Sequence, residues 1–168
     1  HAVDSIEQFQ GGAADESPRF LVSLGSIVER KNPAFLAAVC RDNQIPIRFI
    51  GHPFDEQSAY FKQFLSCIDH KMTQYSGFIT EQEKIEWMKK ASGFVLLSHG
   101  ESGCISVYEA GAAGLPLLLS DLPWAKGYEQ PKQLTFCSPT DAAAAGASIR
   151  NFYETARRQT NPSFAVHT

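Results

Sequence analysis

Short apolar runs alternate with longer stretches of helical periodicity along this chain, and that rhythm constrains its fold more than any other feature. Phe20-Leu21-Val22-Ser23-Leu24 is an apolar run stopped by Gly25, the pattern of a buried strand. Asn32 then precedes Pro33, a capping residue before a favourable first helical residue, and Phe35, Leu36 and Val39 supply a helical apolar face. Ile45 to Ile50 predicts the next strand, ended by Gly51-His52-Pro53. Glu56 to Ile68 reads as helix, with Tyr60, Phe61, Phe64 and Leu65 on one side. A strand near Tyr75 to Ile79 leads into Thr80, which forms a capping box with Glu83 ahead of Ile85, Met88 and Ala91. Phe94 to Leu97 is a strand between Gly93 and Ser98. Ile105 to Ala113 is a small-residue helix ended by Gly114, and Leu115 to Leu119 is a further strand. Leu134-Thr135-Phe136 closes the strand series, and Asp141 to about Arg158 predicts a last helix that carries Gly146.

Short strands separated by helices argue for βαβ units and a parallel sheet covered on both faces. With right-handed crossovers, the expected class is α/β: a doubly wound, Rossmann-like parallel sheet. Residues 1–19 are polar, and Gly11 to Pro18 reads as a linker. The folded domain is expected over 20–160.

The 168 residues, 43% hydrophobic and 20% charged, suit one such domain. A chain of this length buries roughly 70% of its unfolded surface, so no disulfide or metal staple is required. The net charge of −3 gives no electrostatic footprint for nucleic acid or an anionic membrane. Cys40, Cys67, Cys104 and Cys137 are widely spaced with no C-x-x-C, which favours reduced thiols. No H-x-x-x-H pair is present. His99-Gly100-Glu101 reads H-x-E but lacks a downstream P-C-x-x-C, so no metal is expected. The longest apolar run, Ala110 to Leu119, is broken by Gly114 and Pro116 and falls well short of a spanning helix. No signal peptide is expected. The chain begins at His1 rather than methionine, which raises the expectation of a processed, tagged or partial chain.

Ligands of open parallel sheets bind beyond the carboxyl ends of the strands, so the loops there are the places to look. The first, Gly25 to Asn32, is neither G-x-G-x-x-G nor a P-loop. It offers Arg30 and Lys31 at the mouth of a helix, a pair suited to a diphosphate or equally to a solvated surface. The fourth is Ser98-His99-Gly100-Glu101-Ser102-Gly103-Cys104-Ile105-Ser106, running into Glu109. A small, glycine-containing turn opening a helix presents outward amides, which take phosphate, while carboxylates accept from sugar hydroxyls. Ser106-x-x-Glu109 is also a capping box that needs no ligand, and Glu101 also reads as an exposed loop acid. Cys104 at a helix start raises the possibility of a nucleophile, but no His–Asp pair accompanies it.

Glu101-(x)7-Glu109, followed by Ala110-Gly111-Ala112-Ala113-Gly114-Leu115-Pro116 and an apolar strand, resembles the signature of family 4 (group 1) retaining glycosyltransferases. Arg30-Lys31-Asn32, Gly51 and the Gly77-Phe78-Ile79-Thr80 turn fit the same resemblance, which covers nearly the whole chain. His1-Ala2-Val3-Asp4 is similar to the segment in which that family's chain crosses between two domains.

The resemblance implies one Rossmann-like half of a GT-B architecture, the carboxyl-terminal domain that binds the donor. The donor is a nucleotide sugar such as a UDP- or GDP-sugar, and no cofactor or metal is implied. Lys31 would pair with the diphosphate, with Arg30 and Ser26 nearby. Glu109 would accept from the ribose. Glu101, the catalytic position, would hold the transferred sugar, with the Gly103, Cys104 and Ile105 amides against sugar or phosphate. Phe78 and Ile79 would border the base through backbone groups.

Ser26 stands where the family commonly has arginine, which drops one diphosphate contact or moves it to Arg30. Cys104, where glycine is usual, is expected to add bulk at the sugar. The amino-terminal acceptor domain is expected to be missing, residues 161–168 to begin the return segment, and the isolated domain to be inactive. The expected location is cytoplasmic, with any attachment to the inner face of a membrane made through the absent domain. A non-catalytic nucleotide-sugar module and another GT-B enzyme, such as an epimerase or a phosphorylase, are the alternative readings.

Overall fold

The computed structural model describes residues 18–128 and 133–157. The expected interdomain segment, apart from its last two residues, and the expected return segment lie outside them. Among the described residues, six strands form one sheet: β1 (Leu21–Leu24), β2 (Ile47–Ile50), β3 (Thr73–Gly77), β4 (Gly93–Leu96), β5 (Leu117–Ser120) and β6 (Leu134–Cys137). Every neighbouring pair is parallel, in the order β3-β2-β1-β4-β5-β6. The connecting helices are α1 (Pro33–Asp42), α2 (Ala59–Ser66), α3 (Glu81–Lys90), α4 (Ile105–Ala112) and α5 (Ala142–Thr155). This is the doubly wound, Rossmann-like fold that the alternating pattern predicts.

The strands are apolar on both faces because both faces are covered. Leu21, Val95, Leu97 and Leu118 join one buried cluster with α1, α2 and α5, including Leu36, Phe64 and Ile149. Their neighbours Val22, Phe94, Leu96, Leu117 and Leu119 point the other way, to a second cluster with Met88 of α3 and Val107 and Ala110 of α4. Successive side chains of one strand thus feed two cores.

Helix starts follow side-chain chemistry. Thr80 and Glu83 make both bonds of the expected capping box. Asp141 accepts from the Ala144 amide at the start of α5. At α2 the cap is Ser58, which accepts from the Phe61 amide, so this helix begins three residues later than the expected Glu56. β3 lies two residues ahead of its expected place. The Asp69 carboxylate, accepting from the Lys71, Met72 and Thr73 amides, ends the preceding turn there, and Gly77 at φ 68° closes the strand. These bonds hold the Asp69 carboxyl below its ordinary range, against a smaller opposing effect of burial.

All four cysteines are unpaired and buried. Burial pushes the Cys40 thiol strongly up and the Cys137 thiol up to about 12, the character of packing residues. Among the described residues, no helix is long and apolar enough to cross a membrane.

β1 and β4 are adjacent, yet the chain leaves β1 toward β2 and leaves β4 toward β5. Their following loops therefore part and leave a crevice at the carboxyl edge of the sheet, where ligands of such folds bind. The two loops singled out in the sequence meet there.

Candidate functional site

The loop after β1 is held on both sides. Gly25 donates to Ile50 O and Ile27 to His52 O, which tie it to the end of β2. A Cβ at Gly51 would stand 2.0 Å from Gly25 O, so only glycine lets these two loops approach so closely. On the other side, His99 donates to Arg30 O at 2.8 Å, and Arg30 Nη1 donates to Gly100 O at 2.7 Å.

Asn32 locks the junction. It begins α1 in the left-handed region, φ 62°, without capping it through its side chain. Instead its buried amide donates to Leu97 O at 3.0 Å and to Pro139 O at 2.9 Å. One residue thereby joins the loops that follow β1, β4 and β6. The sequence identifies it as a helix start; its longer-range role comes from the fold.

This framework sets two cations against Glu101. Lys31 Nζ lies 2.9 Å from Glu101 Oε2 and Arg30 Nη1 lies 3.3 Å from Oε1, while Ser98 Oγ donates to Oε2 at 2.5 Å. The Glu101 side chain is only 5% exposed and that of Lys31 16%. Burial by itself would raise the Glu101 pKa. The Ser98 and Lys31 hydrogen bonds and the two positive charges outweigh it and hold the carboxyl below its ordinary value. Glu101 is therefore no solvated loop acid. It is a buried carboxylate shared by two cations and a hydroxyl.

Glu109, one face of α4 further on, has a different environment. Its carboxylate pairs with Lys84 of α3 at 3.0 Å, and Lys84 also meets Glu81 at 3.0 Å. Burial favours a lower Lys84 pKa, but the two acids hold the ammonium above its ordinary value. The capping box expected from Ser106-x-x-Glu109 does not form, because α4 starts at Ile105 and its N-cap is Cys104.

Between the loops lies an open cleft of about 310 Å³. Ser26, Phe78, Ile79 and Glu109 all line it, together with His52 and Lys84. Four of the sequence candidates thus share one cavity. Lys31 and Ser26 also share a small recess beside it. Arg30 and Lys31 gather on Glu101, and Gly103, Cys104 and Ile105 open the helix whose Ser106 and Glu109 reach the cleft. The expectation for Cys104 changes. Cys104 is 5% exposed, packs in the core behind α4 and contacts Ser106 Oγ through its Sγ at 3.2 Å, so its bulk faces inward.

Several contributors escape sequence reasoning. Lys84 sits on a helix of ordinary polar pattern, and only folding brings it to Glu109. Tyr128 accepts from the Cys104 amide at 3.1 Å, and Trp124 Nε1 and Ser120 Oγ both donate to Ser98 O, bracing the turn from below. These contacts span more than twenty residues and follow no local motif. Among the described residues, no three His, Cys, Asp or Glu side chains gather as a metal site would require.

Chemically, the crevice offers two cations and a helix start for an anionic group, two carboxylates for hydroxyls, and aromatic rings at one lip. Residues 4–163 match the family model described as glycosyl transferases group 1. No curated protein matches the sequence. The fold is similar to that of sucrose-phosphate synthase from Thermosynechococcus elongatus, with TM-score 0.68 and 21% identity over 91% of this chain and 40% of that one. It is similar to the C-terminal domain of a group 1 family glycosyl transferase from Francisella tularensis, with TM-score 0.67 and 14% identity over 88% and 81%. The catalytic domain of cholesterol-α-glucosyltransferase from Helicobacter pylori also matches, with TM-score 0.63 and 18% identity over 82% and 87%. The chain thus spans less than half of the synthase but most of the other two.

Proposed function

This chain belongs to the group 1 glycosyl transferases, and on that premise we propose that it is the donor-binding half of a retaining, metal-independent enzyme. Such an enzyme breaks the bond between the anomeric carbon of a nucleotide-diphosphate sugar and the β-phosphate oxygen. It forms a bond from that carbon to an acceptor hydroxyl on the same face, and the hydroxyl proton leaves with the diphosphate.

The observation that carries this reading is the Glu101 carboxylate buried against Lys31 and Arg30 at the sheet's switch point. A bound diphosphate takes the place of the carboxylate on these cations and gains their charge where negative charge develops on departure. The amides at the start of α4 add partial positive charge to the same region. Glu101, released from Lys31, accepts from hydroxyls of the transferred sugar. Glu109, steadied by Lys84, accepts from the ribose. In this scheme Lys31 and Arg30 do for the diphosphate what a divalent cation does elsewhere.

The acceptor is read by a second domain, so this chain alone binds donor and transfers no sugar. Titration of the chain with UDP, GDP and ADP, without and with magnesium, tests the reading. Selective binding of one nucleotide, indifferent to magnesium, is expected. Binding of none, or binding only with magnesium, contradicts it.

A further inference from the structure

Among the described residues, Arg48 is the one charged residue that lies within a strand. A parallel sheet covered on both faces has little use for a charge there. Its neighbours Ile47 and Phe49 belong to the core shared with α1 and α2, so Arg48 points to the other face, toward α3. Its guanidinium carbon lies 3.8 Å from the centre of the Trp87 ring, and Nη1 donates to Ser76 Oγ at 2.9 Å. Burial lowers the Arg48 pKa, and no carboxylate among the described residues counters it. A half-buried cation with most of its donors unused is costly unless an anion reaches it.

Arg48 lines a groove of about 290 Å³ at the amino ends of β1, β2 and β3, the edge of the sheet opposite the donor crevice. Phe20, Met72 and Trp87 give it apolar walls, with Phe20 edge-on to Trp87 at 5.7 Å. Its charged lining residues are Arg19, Arg48 and Lys71, and no acid lines it among the described residues, although the chain carries a net charge of −3. Lys90 adds a fourth cation, 5.5 Å from the centre of the Trp87 ring. Arg19 is engaged elsewhere, donating to Tyr153 O, which leaves Arg48 and Lys71 for a ligand.

We propose that this groove is a second binding site, for a small aromatic carboxylate whose acid group meets Arg48 and whose ring lies against the apolar walls. The guanidinium fork matches the two oxygens of a carboxylate. Stacking on Trp87 and the bond to Ser76 already fix the orientation of Arg48, so little side-chain freedom is lost on binding. The volume is at the small end of ligand cavities, enough for one or two rings and too small for the paired acyl chains of a lipid. No residue that lines this groove lines the donor cleft, so the proposal stands apart from the donor-site reading.

The test follows the indole N–H signals of Trp87 and Trp124, the two tryptophans of the chain, by NMR during titration with naphthoate and with its neutral counterpart naphthamide. Trp124 is the internal reference, because its Nε1 bonds to Ser98 O beside the donor crevice. Naphthoate is expected to shift the Trp87 signal saturably and to leave Trp124 in place. Naphthamide binds about 10-fold or more weakly, the scale of one hydrogen bond to a charged group. Arg48→Met brings naphthoate affinity down to that of the amide and leaves the amide unchanged. Equal affinity of acid and amide in wild type overturns the proposal, and that comparison needs no variant to fold. No saturable Trp87 shift at millimolar naphthoate, or a Trp124 shift in step with Trp87, also overturns it. So does binding to phosphatidylglycerol vesicles without binding of naphthoate, which would make the groove a lipid contact.

Discussion

Two lysine–glutamate pairs flank the crevice, and they are built on different principles. Lys31 and Glu101 sit on loops tied to one another by His99–Arg30, Arg30–Gly100 and Asn32–Leu97 hydrogen bonds, and their side chains are largely shielded from water. Lys84 and Glu109 join the outward sides of two helices, with side chains 22% and 37% exposed, and Met88 is the one buried residue of α3. The first pair is fixed by the framework that carries it. The second depends on a lightly anchored helix. Rigidity is thus concentrated where a diphosphate and a reacting sugar would sit, which is where preorganised charge contributes most to catalysis. The Lys84–Glu109 side, where the proposed scheme puts the nucleoside, is held by fewer buried contacts.

Four changes test that contrast, from the largest expected effect down. In the complete enzyme, Glu101→Gln lowers turnover by about 100-fold or more, the scale seen when a group acting at the reacting centre is removed. Near-normal steady-state rates contradict the role of Glu101. Asn32→Ala strips two buried carbonyls of their donor and places alanine at a left-handed φ, and it lowers stability by about 2–4 kcal/mol in chemical denaturation. Lys84→Met acts on a partly exposed pair, so it changes stability by about 1 kcal/mol or less and nucleotide affinity by less than about 10-fold. A Lys84 effect as large as that of Asn32 would erase the distinction between the two ends.

The smallest effect concerns pH. The native Glu101 carboxyl is held below its ordinary value, so its contribution to stability is complete above the unfolded carboxylate range near ~4.3. That contribution is lost as pH falls through the lower native value. The stability difference between wild type and Glu101→Gln therefore narrows on acidification below about pH 4, read from denaturation midpoints at neutral and acid pH.

Local pattern carried the elements. Phe20 to Leu24, the Thr80–Glu83 capping box and the Asn32-Pro33 helix start are all written within a few residues, and all appear in the fold. The parallel, doubly wound arrangement was legible too, because buried strands between helices have few other solutions. Contacts across the crevice were not. Lys84 with Glu109, Tyr128 with the Cys104 amide, and Asn32 with Leu97 and Pro139 each join segments whose separation carries no periodic signal. Gly146 shows the same limit. In sequence it is a weak point in α5, and in the fold it is the place where Asn43 of the neighbouring segment comes within 2.8 Å of where a Cβ would stand. Likewise, the turn at Cys104 showed a residue larger than glycine, but only packing shows that its side chain faces the core.

The central claim is an exchange: a diphosphate displaces the Glu101 carboxylate from Lys31. Calorimetric titration of the preferred nucleoside diphosphate, without sugar, against wild type, Lys31→Ala and Glu101→Gln tests it directly. Lys31→Ala loses affinity by about 100-fold, because a charge-assisted contact disappears. Glu101→Gln binds the free diphosphate several-fold more tightly than wild type, because the cation no longer has to leave a carboxylate. Opposite shifts in the two variants are the predicted result. Parallel weakening in both, or unchanged affinity in Lys31→Ala, would contradict the account.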